Sequence, residues 1–230
     1  MRYLQEDFDL NEDQMNQFHA YYELLVEKNK VMNLTAITDE YEVYIKHFYD
    51  SLTISRVIEM SDVNLVMDVG TGAGFPGIPL KIAYPHIKLT LLDSLLKRVR
   101  FLEEVGTKLE LKDVSYVHGR AEDFSQDPSY RESFDLVTSR AVAQLNKLAE
   151  FCLPFTSING IFLAMKGSDV GDELQAAKHA LHVLGRASHE IVSLSLPEDM
   201  GSRNLIMMKK TAQTPKKYPR KAGMIKNQPL

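Results

Sequence analysis

The stretch MDVGTGAGFPGIPLKI, Met67 to Ile82, decides the fold. An apolar run closes on Asp68, three alternating glycines follow at Gly70, Gly72 and Gly74, and Phe75, Pro76 and Gly77 lead into an apolar, helix-like segment. Glycine tolerates positive φ and, lacking Cβ, lets a ligand approach backbone N–H groups at a helix start. A strand, a glycine turn and a helix in that order predict a ligand-binding loop rather than a bare connection. The loop alone leaves the ligand open, so the surrounding chain has to choose it.

Outward from that loop the pattern alternates. NLVMDVG, KLTLLDS, VSYVHGR, FDLVTSR and GIFLAMKG read as short apolar strands, separated by helical stretches ending near Ala83, then LKRVRFLEEVGTKL and NKLAEFCLPF. Such alternation predicts an α/β fold, a mainly parallel sheet covered on both faces. A further helix, about 170–184, leads to SHEIVSLSLP and RNLIMMKK, close enough to pair as an antiparallel hairpin at the sheet edge. Upstream, Met15, Phe18, Tyr21, Tyr22, Leu25 and Val26 recur at helical spacing, and Asp39 with Glu42 resembles a capping box opening a second helix. The expected divisions are an N-terminal helical cap over residues 1–62, a ligand-binding domain over 63–210, and a basic C-terminal tail or surface strap over 211–230.

Composition bounds the function. With 44% hydrophobic and 25% charged residues, the chain is an ordinary globular protein, which excludes disordered and collagen-like classes. No run of about 18 apolar residues occurs and the N-terminus has no apolar leader, so a cytoplasmic protein without membrane association is expected. The lone Cys152, in the apolar setting EFCLPF, rules out an intramolecular disulfide and a Cys-rich metal site. No obligate protein partner is evident. The net charge of −4 hides an asymmetry: residues 209–230 carry seven Lys or Arg and no acid, whereas the first 28 residues are acidic. Tyr218 among those cations favours phosphate contact over a merely solvated end.

Gly70, Gly72 and Gly74 spell the G-x-G-x-G of S-adenosylmethionine enzymes; Gly72, Gly74 and Gly77 also spell the G-x-G-x-x-G of dinucleotide binders. Ligands of open α/β sheets sit at the carboxyl ends of the strands. There Asp93 closes the second strand, where a carboxylate can take ribose hydroxyls; HGRAED places Ala121 and Glu122 or Asp123 where an adenine edge would lie; Arg140 ends the fourth strand. With the closing hairpin, residues 64–210 resemble class I, Rossmann-like S-adenosylmethionine methyltransferases. A dehydrogenase would need a substrate half for which little chain remains.

Residue chemistry narrows the methyl acceptor. Carbon-5 methylation of a pyrimidine generally needs a cysteine nucleophile, and Cys152 lies in a predicted helix away from any catalytic-looking turn. The Asn/Asp-Pro-Pro-aromatic turn common in exocyclic amine methylation is replaced here by TSRAVA. Guanine N7 has an in-plane lone pair and no proton, so its attack on a sulfonium methyl needs no general base and no catalytic residue in the strict sense. Proximity, orientation and electrostatics suffice.

NLTAI (33–37), HFYDS (47–51), DVGTGAGFPGIPL, LLDSLLKRVRFL, GRAED, SRAVA, LAMKG and PKKYPRKAG occur in this order, and together they resemble the RsmG (GidB) family from about residue 10 to 230. That resemblance implies methylation of N7 of a guanine in 16S ribosomal RNA, with S-adenosyl-L-methionine as cofactor. The partner would be the RNA, the small subunit or its precursor. Carried over by motif, it implies cofactor contacts at Gly70, Phe75, Ala121, Glu122 and Arg140, with Gly72, Gly74 and Asp93 completing the site. Lys97, Arg98, Arg100, Lys166, Lys216, Lys217, Arg220 and Lys221 are the expected RNA contacts. His47, Asp50 and Ser51 share a predicted helical face, with helix packing and hydrogen bonding toward the glycine loop as the expected role; a structural or RNA-positioning role is expected of Asn29 and Asn33. The competing reading is an RNA-binding assembly factor with a vestigial methyltransferase site, which a transfer assay distinguishes.

Overall fold

The computed structural model describes residues 2–140, 143–167 and 170–230. It opens with a short helix that the sequence pattern did not suggest, α1 (Arg2–Asp7), whose Leu4 is fully buried. Helix α2 (Glu12–Met32) starts at Asn11, which accepts the Gln14 N–H while the Gln14 side chain accepts the Asn11 N–H. This reciprocal cap satisfies two donors that the first helical turn leaves unpaired.

Asp39 caps α3 (Glu40–Val43) as expected. The single helix anticipated after it is instead a π-helical turn over Tyr44–Tyr49, a short α4 (Asp50–Leu52) and a 3-10 turn over Thr53–Arg56. A wider turn changes which side chains share a face. Here Tyr44, Ile45, Phe48 and Tyr49 all reach the core, while His47 and Asp50 meet a strand end described below.

Seven strands follow: β1 (Leu65–Val69), β2 (Lys88–Asp93), β3 (Val114–His118), β4 (Phe134–Arg140), β5 (Thr156–Lys166), β6 (Ser188–Ser195) and β7 (Ser202–Lys209). Between them lie α5 (Gly77–Ala83), α6 (Leu96–Lys108), α7 (Ala121–Phe124), α8 (Leu145–Cys152) and α9 (Gly171–Gly185). The order across the sheet is β3-β2-β1-β4-β5-β7-β6. The first five strands are parallel, and β7 inserts antiparallel between β5 and β6. Strand order reverses at β1, so the crevice beyond the ends of β1 and β4 is the topological switch point.

Side-chain alternation sorts the core into two layers. Along β5, Leu163 and Met165 face a cluster shared with the N-terminal helices, α5 and α6, whereas Phe162 and Ala164 face one shared with α8 and α9. The first cluster runs without a break from Leu4 through Tyr21 and Phe48 to Leu205, so the cap and the sheet share one core. Cys152 is fully buried in the second cluster.

Beyond β7 the chain forms a strap across the second face, ending in α10 (Ala222–Asn227). Lys210 is completely buried, donating to Glu132 and to the carbonyls of Leu153 and Thr156. Arg131 donates to the carbonyls of Thr214 and Tyr218, and Tyr218 packs into the second cluster with the exposed Lys217 ammonium 5.1 Å from its ring centroid. No helix among the described residues is long and apolar enough to cross a membrane.

Candidate functional site

The glycine loop turns because its residues need a backbone that most side chains resist. Gly70, Gly72 and Gly74 have φ of 70°, 63° and 104°. Beyond this shared need, their surroundings differ. Gly70 and Gly72 line cavities, whereas a Cβ on Gly74 would stand 2.6 Å from the Tyr21 hydroxyl and 2.9 Å from Leu102. A Cβ on Gly77 would stand 2.5 Å from Leu91. Gly74 and Gly77 therefore let the loop press against the cap and β2, and Gly74 lines neither cavity described here.

Hydrogen bonds hold the loop from beneath. Asp68, fully buried, accepts from the Thr71 hydroxyl at 2.7 Å and the Gly77 N–H at 3.0 Å through one oxygen, while its other oxygen is buried without a partner. Burial pushes its carboxyl up to about 6, against the pull of those two donors. Asp93 accepts the N–H groups of Gly72 at 2.9 Å and Leu95 at 2.8 Å, with Arg98 3.5 Å away. The second-strand acid thus fixes the loop and the start of α6 together.

Two adjoining cavities open here, sharing Gly70, Asp93 and Ser94. The first, about 340 Å³, is walled mainly by apolar groups, Val69, Leu92, Ala121, Leu148, Phe151 and Ile225, and its lining also holds the acids Asp93 and Glu122 and the cations Arg120, Lys147 and Lys226. Of the two acids that follow Ala121, Glu122 lines this cavity and Asp123 does not. The second, about 400 Å³, is more polar, and Thr35, His47, Phe75, Arg98 and Arg140 line it.

Arg140 organises the second cavity. Its guanidinium lies 4.8 Å from the Phe75 ring centroid and donates to Asp50 at 3.2 Å; Asp50, almost fully buried, also accepts from Arg203 at 3.0 Å. His47 touches both partners of this pair, its ring stacked 4.7 Å from Phe75 and its Nδ1 3.5 Å from a terminal nitrogen of Arg140. Its Nδ1 sits 3.1 Å from the Lys46 carbonyl and its Nε2 2.7 Å from the Thr35 hydroxyl. A neutral imidazole with the proton on Nδ1 satisfies the Lys46 and Thr35 contacts, since Thr35 can then donate to Nε2 while accepting the Ile37 N–H, and it leaves the 3.5 Å approach of Arg140 to Nδ1 as a contact without a hydrogen bond. Burial, then the Arg140 charge, lowers the imidazole to about 4. His47 and Asp50 thus meet Arg140 and the glycine loop.

The expected RNA contacts divide. Lys97, Arg100, Lys216, Lys217 and Lys221 are exposed, and Arg98 stands at the rim of the second cavity. Lys166 instead pairs with Glu173 at 2.7 Å and is mostly buried, because β5 ends against α9. Arg220 forms a forked pair with the fully buried Glu150, its Nε at 2.8 Å and a terminal nitrogen at 2.7 Å. Both cations are committed inside the fold. Sequence reasoning missed Glu150, Leu148, Phe151 and the α10 residues Ala222, Ile225 and Lys226, which complete the first cavity's wall or its supports, and Arg203, which shares Asp50 with Arg140 behind the second cavity. The usable signal was Glu150 itself, an acid on the apolar face of a short helix, which demands a cationic partner. Ala141 and Val142 of the SRAVA motif lie outside the described residues.

Comparison with known proteins completes the assignment. A family model described as rRNA small subunit methyltransferase G matches residues 14–206. Proteins named ribosomal RNA small subunit methyltransferase G are similar over nearly the whole chain. The one from an Exiguobacterium species is 50% identical, covering 98% of this chain and 94% of its own. That from Listeria monocytogenes is 46% identical, covering 100% and 97%.

The chain belongs to this family. It is an S-adenosylmethionine-dependent ribosomal RNA methyltransferase. Solved structures support the fold: an O-methyltransferase from Bacillus cereus superposes with a TM-score of 0.60 at 16% identity, covering 84% of this chain and 91% of that one. A precorrin-6y C5,15-methyltransferase from Geobacter metallireducens gives 0.52 at 16% identity, covering 70% and 87%.

The residues present fit the cofactor. A cavity walled mainly by apolar groups, with two carboxylates in its lining, suits a nucleoside, which offers a flat ring and hydroxyl and amino donors. Beneath the turn, the unpartnered Asp68 oxygen leaves an acceptor that the polypeptide does not fill. Burial raises the Cys152 thiol well above its usual range, so no thiolate is available for a covalent intermediate.

Proposed function

We propose that this methyltransferase modifies N7 of a guanine in 16S ribosomal RNA, within the small subunit or its precursor, and that it works in the cytoplasm. The observation that carries the reading is the pair of cavities meeting at Gly70, Asp93 and Ser94, one walled mainly by apolar groups with Asp93 and Glu122 in its lining and one more polar, with His47, Arg98 and Arg140 in its lining. When bound, S-adenosylmethionine supplies an electrophilic methyl group on a sulfonium.

In this reading the first cavity takes the adenosine. Asp93 accepts the ribose hydroxyls, Ala121 and Glu122 read the adenine edge, and Gly70 and Gly72 let the ligand lie against backbone. Phe75 and Arg140 close the methyl-bearing end at the second cavity, where the guanine enters beside Thr35 and His47. His47, neutral and hydrogen-bonded through both nitrogens, holds the Phe75 ring in place and moves no proton. N7 needs none moved, so the chain acts by aligning nucleophile, methyl and sulfur. Arg98 at the rim, Lys97 and Arg100 on α6, and Lys216, Lys217 and Lys221 on the strap grip phosphates and set register without reading sequence. Residues 1–62, 63–210 and 211–230 are then cap, catalytic domain and strap of one folding unit.

Transfer of label from S-adenosylmethionine to small-subunit RNA and particles from cells lacking the protein, followed by nucleoside analysis, tests this reading. Label confined to 7-methylguanosine is expected. Label in another nucleoside would overturn the acceptor, and no transfer to either substrate would favour an assembly factor.

A further inference from the structure

The strap has two faces with different chemistry. Its outer side presents Lys216, Lys217 and Lys221 to solvent, while Ala222, Ile225 and Lys226 of α10 line the adenosine cavity, Ile225 being fully buried. One attachment lies between these faces: Glu150 accepts the Arg220 backbone N–H at 2.8 Å as well as both guanidinium bonds. Glu150 sits on α8, whose Leu148 and Phe151 form the adjoining wall of the same cavity.

We propose that Glu150 is a positioning residue for the cofactor, clamping the strap as the outer wall of the adenosine cavity, and that RNA phosphates bound to the strap's outer lysines tighten the hold on the cofactor. The inference rests on the RNA contacts given above. Forked arginine–carboxylate geometry fixes direction as well as distance, so the pair sets where Ile225 stands over the slot. Glu150 has no other cationic partner among the described residues, and a buried carboxylate deprived of its arginine would be costly, so the clamp is strongly favoured. A ligand under Ile225 and a polyanion on the lysines then both favour the seated strap. By linkage each must raise the affinity of the other by the same factor.

The test uses the full-length protein and S-adenosylhomocysteine as probe. In Glu150→Gln the dissociation constant should rise about tenfold, and KM for S-adenosylmethionine should rise likewise while kcat at saturating cofactor stays within about twofold. Trypsin should cut after Arg220, Lys221 or Lys226 slowly in the wild type, more slowly still with the probe, and quickly in Glu150→Gln. Unmethylated small-subunit particles should lower the wild-type probe dissociation constant about fivefold or more, and by much less in the variant. If Glu150→Gln does not fold, Ile225→Ala, which leaves the ion pair intact, carries the affinity test with an expected several-fold loss. Wild-type affinity in these variants, or cleavage indifferent to the probe, would overturn the clamp; an unchanged dissociation constant with particles would overturn the coupling. Absence of transfer by a wild-type protein that binds the probe would instead strike the proposed acceptor and leave the clamp standing.

Discussion

Two segments meet at the first cavity, the glycine loop after β1 and the strap that ends the chain, and they are held by different forces. The loop is held locally: left-handed backbone at Gly70, Gly72 and Gly74, and bonds from Asp68 and Asp93 to Thr71, Gly72 and Gly77. Most of those partners lie within ten residues of each other. The strap is held at long range, by Arg131, Glu132 and Glu150 on elements roughly 70 to 90 residues away. A site can therefore be built half from a compact motif and half from scattered ion pairs, and the two halves should fail differently.

The loop should break completely. Gly70→Val places a β-branched residue at φ 70°, in the cavity wall, and should abolish S-adenosylhomocysteine binding in calorimetry while leaving much of the sheet folded. Detectable methyl transfer by this variant would sink the assignment of the loop.

Next in size is the Asp50 cluster. Asp50→Ala leaves Arg140 and Arg203 without their shared carboxylate in a buried setting, with an expected loss of about 3–5 kcal/mol by denaturant unfolding. A loss below about 1 kcal/mol would mean that the two guanidinium groups find other partners.

The pH response is smaller and carries a sign. His47, lowered to about 4, stays neutral in the fold while the unfolded chain takes up a proton below its ordinary value near 6.5, so its contribution to stability falls as pH drops from 6.5 to 4. Asp68, raised to about 6, holds a proton in the fold that the unfolded chain releases above about 4, so its contribution falls as pH rises over nearly the same window. The two offset each other in the wild type. Asp68→Asn should expose the histidine slope, about 2–3 kcal/mol lost between pH 6.5 and 4 in urea titrations, and an unchanged profile would contradict the pairing.

Smallest is the strap's outer face. Lys217→Ala with Lys221→Ala should weaken RNA binding and shallow its log–log salt dependence by about 1.5. Arg220→Ala should differ from these by also weakening cofactor binding, because its charge is committed to Glu150. Equal behaviour of all three cations would erase the distinction between the strap's two faces.

How far each half was legible follows from the same contrast. Periodicity and turn chemistry exposed every strand, the major helices and the loop, since those signals sit within about ten residues. The π turn at Tyr44–Tyr49 was not legible in local pattern; its Tyr44 and Phe48 rings pack on Phe18, Tyr21 and Tyr22 of α2, about 20 to 30 residues away in sequence. The strap was read correctly as basic, yet charge alone does not separate Lys217, facing solvent, from Arg220, spent on a carboxylate 70 residues away. Lys166 went the same way through Glu173. In the glycine motif, spacing grouped Gly74 with Gly70, whereas only the packed structure shows how closely Tyr21 of the cap and Leu102 of α6 approach Gly74.

The most direct test of the account is methyl transfer from radiolabelled S-adenosylmethionine to small-subunit particles lacking the modification, with the product digested to nucleosides. The account predicts label in 7-methylguanosine alone, at one site. Label in any other nucleoside, or none in RNA or particle, would contradict it.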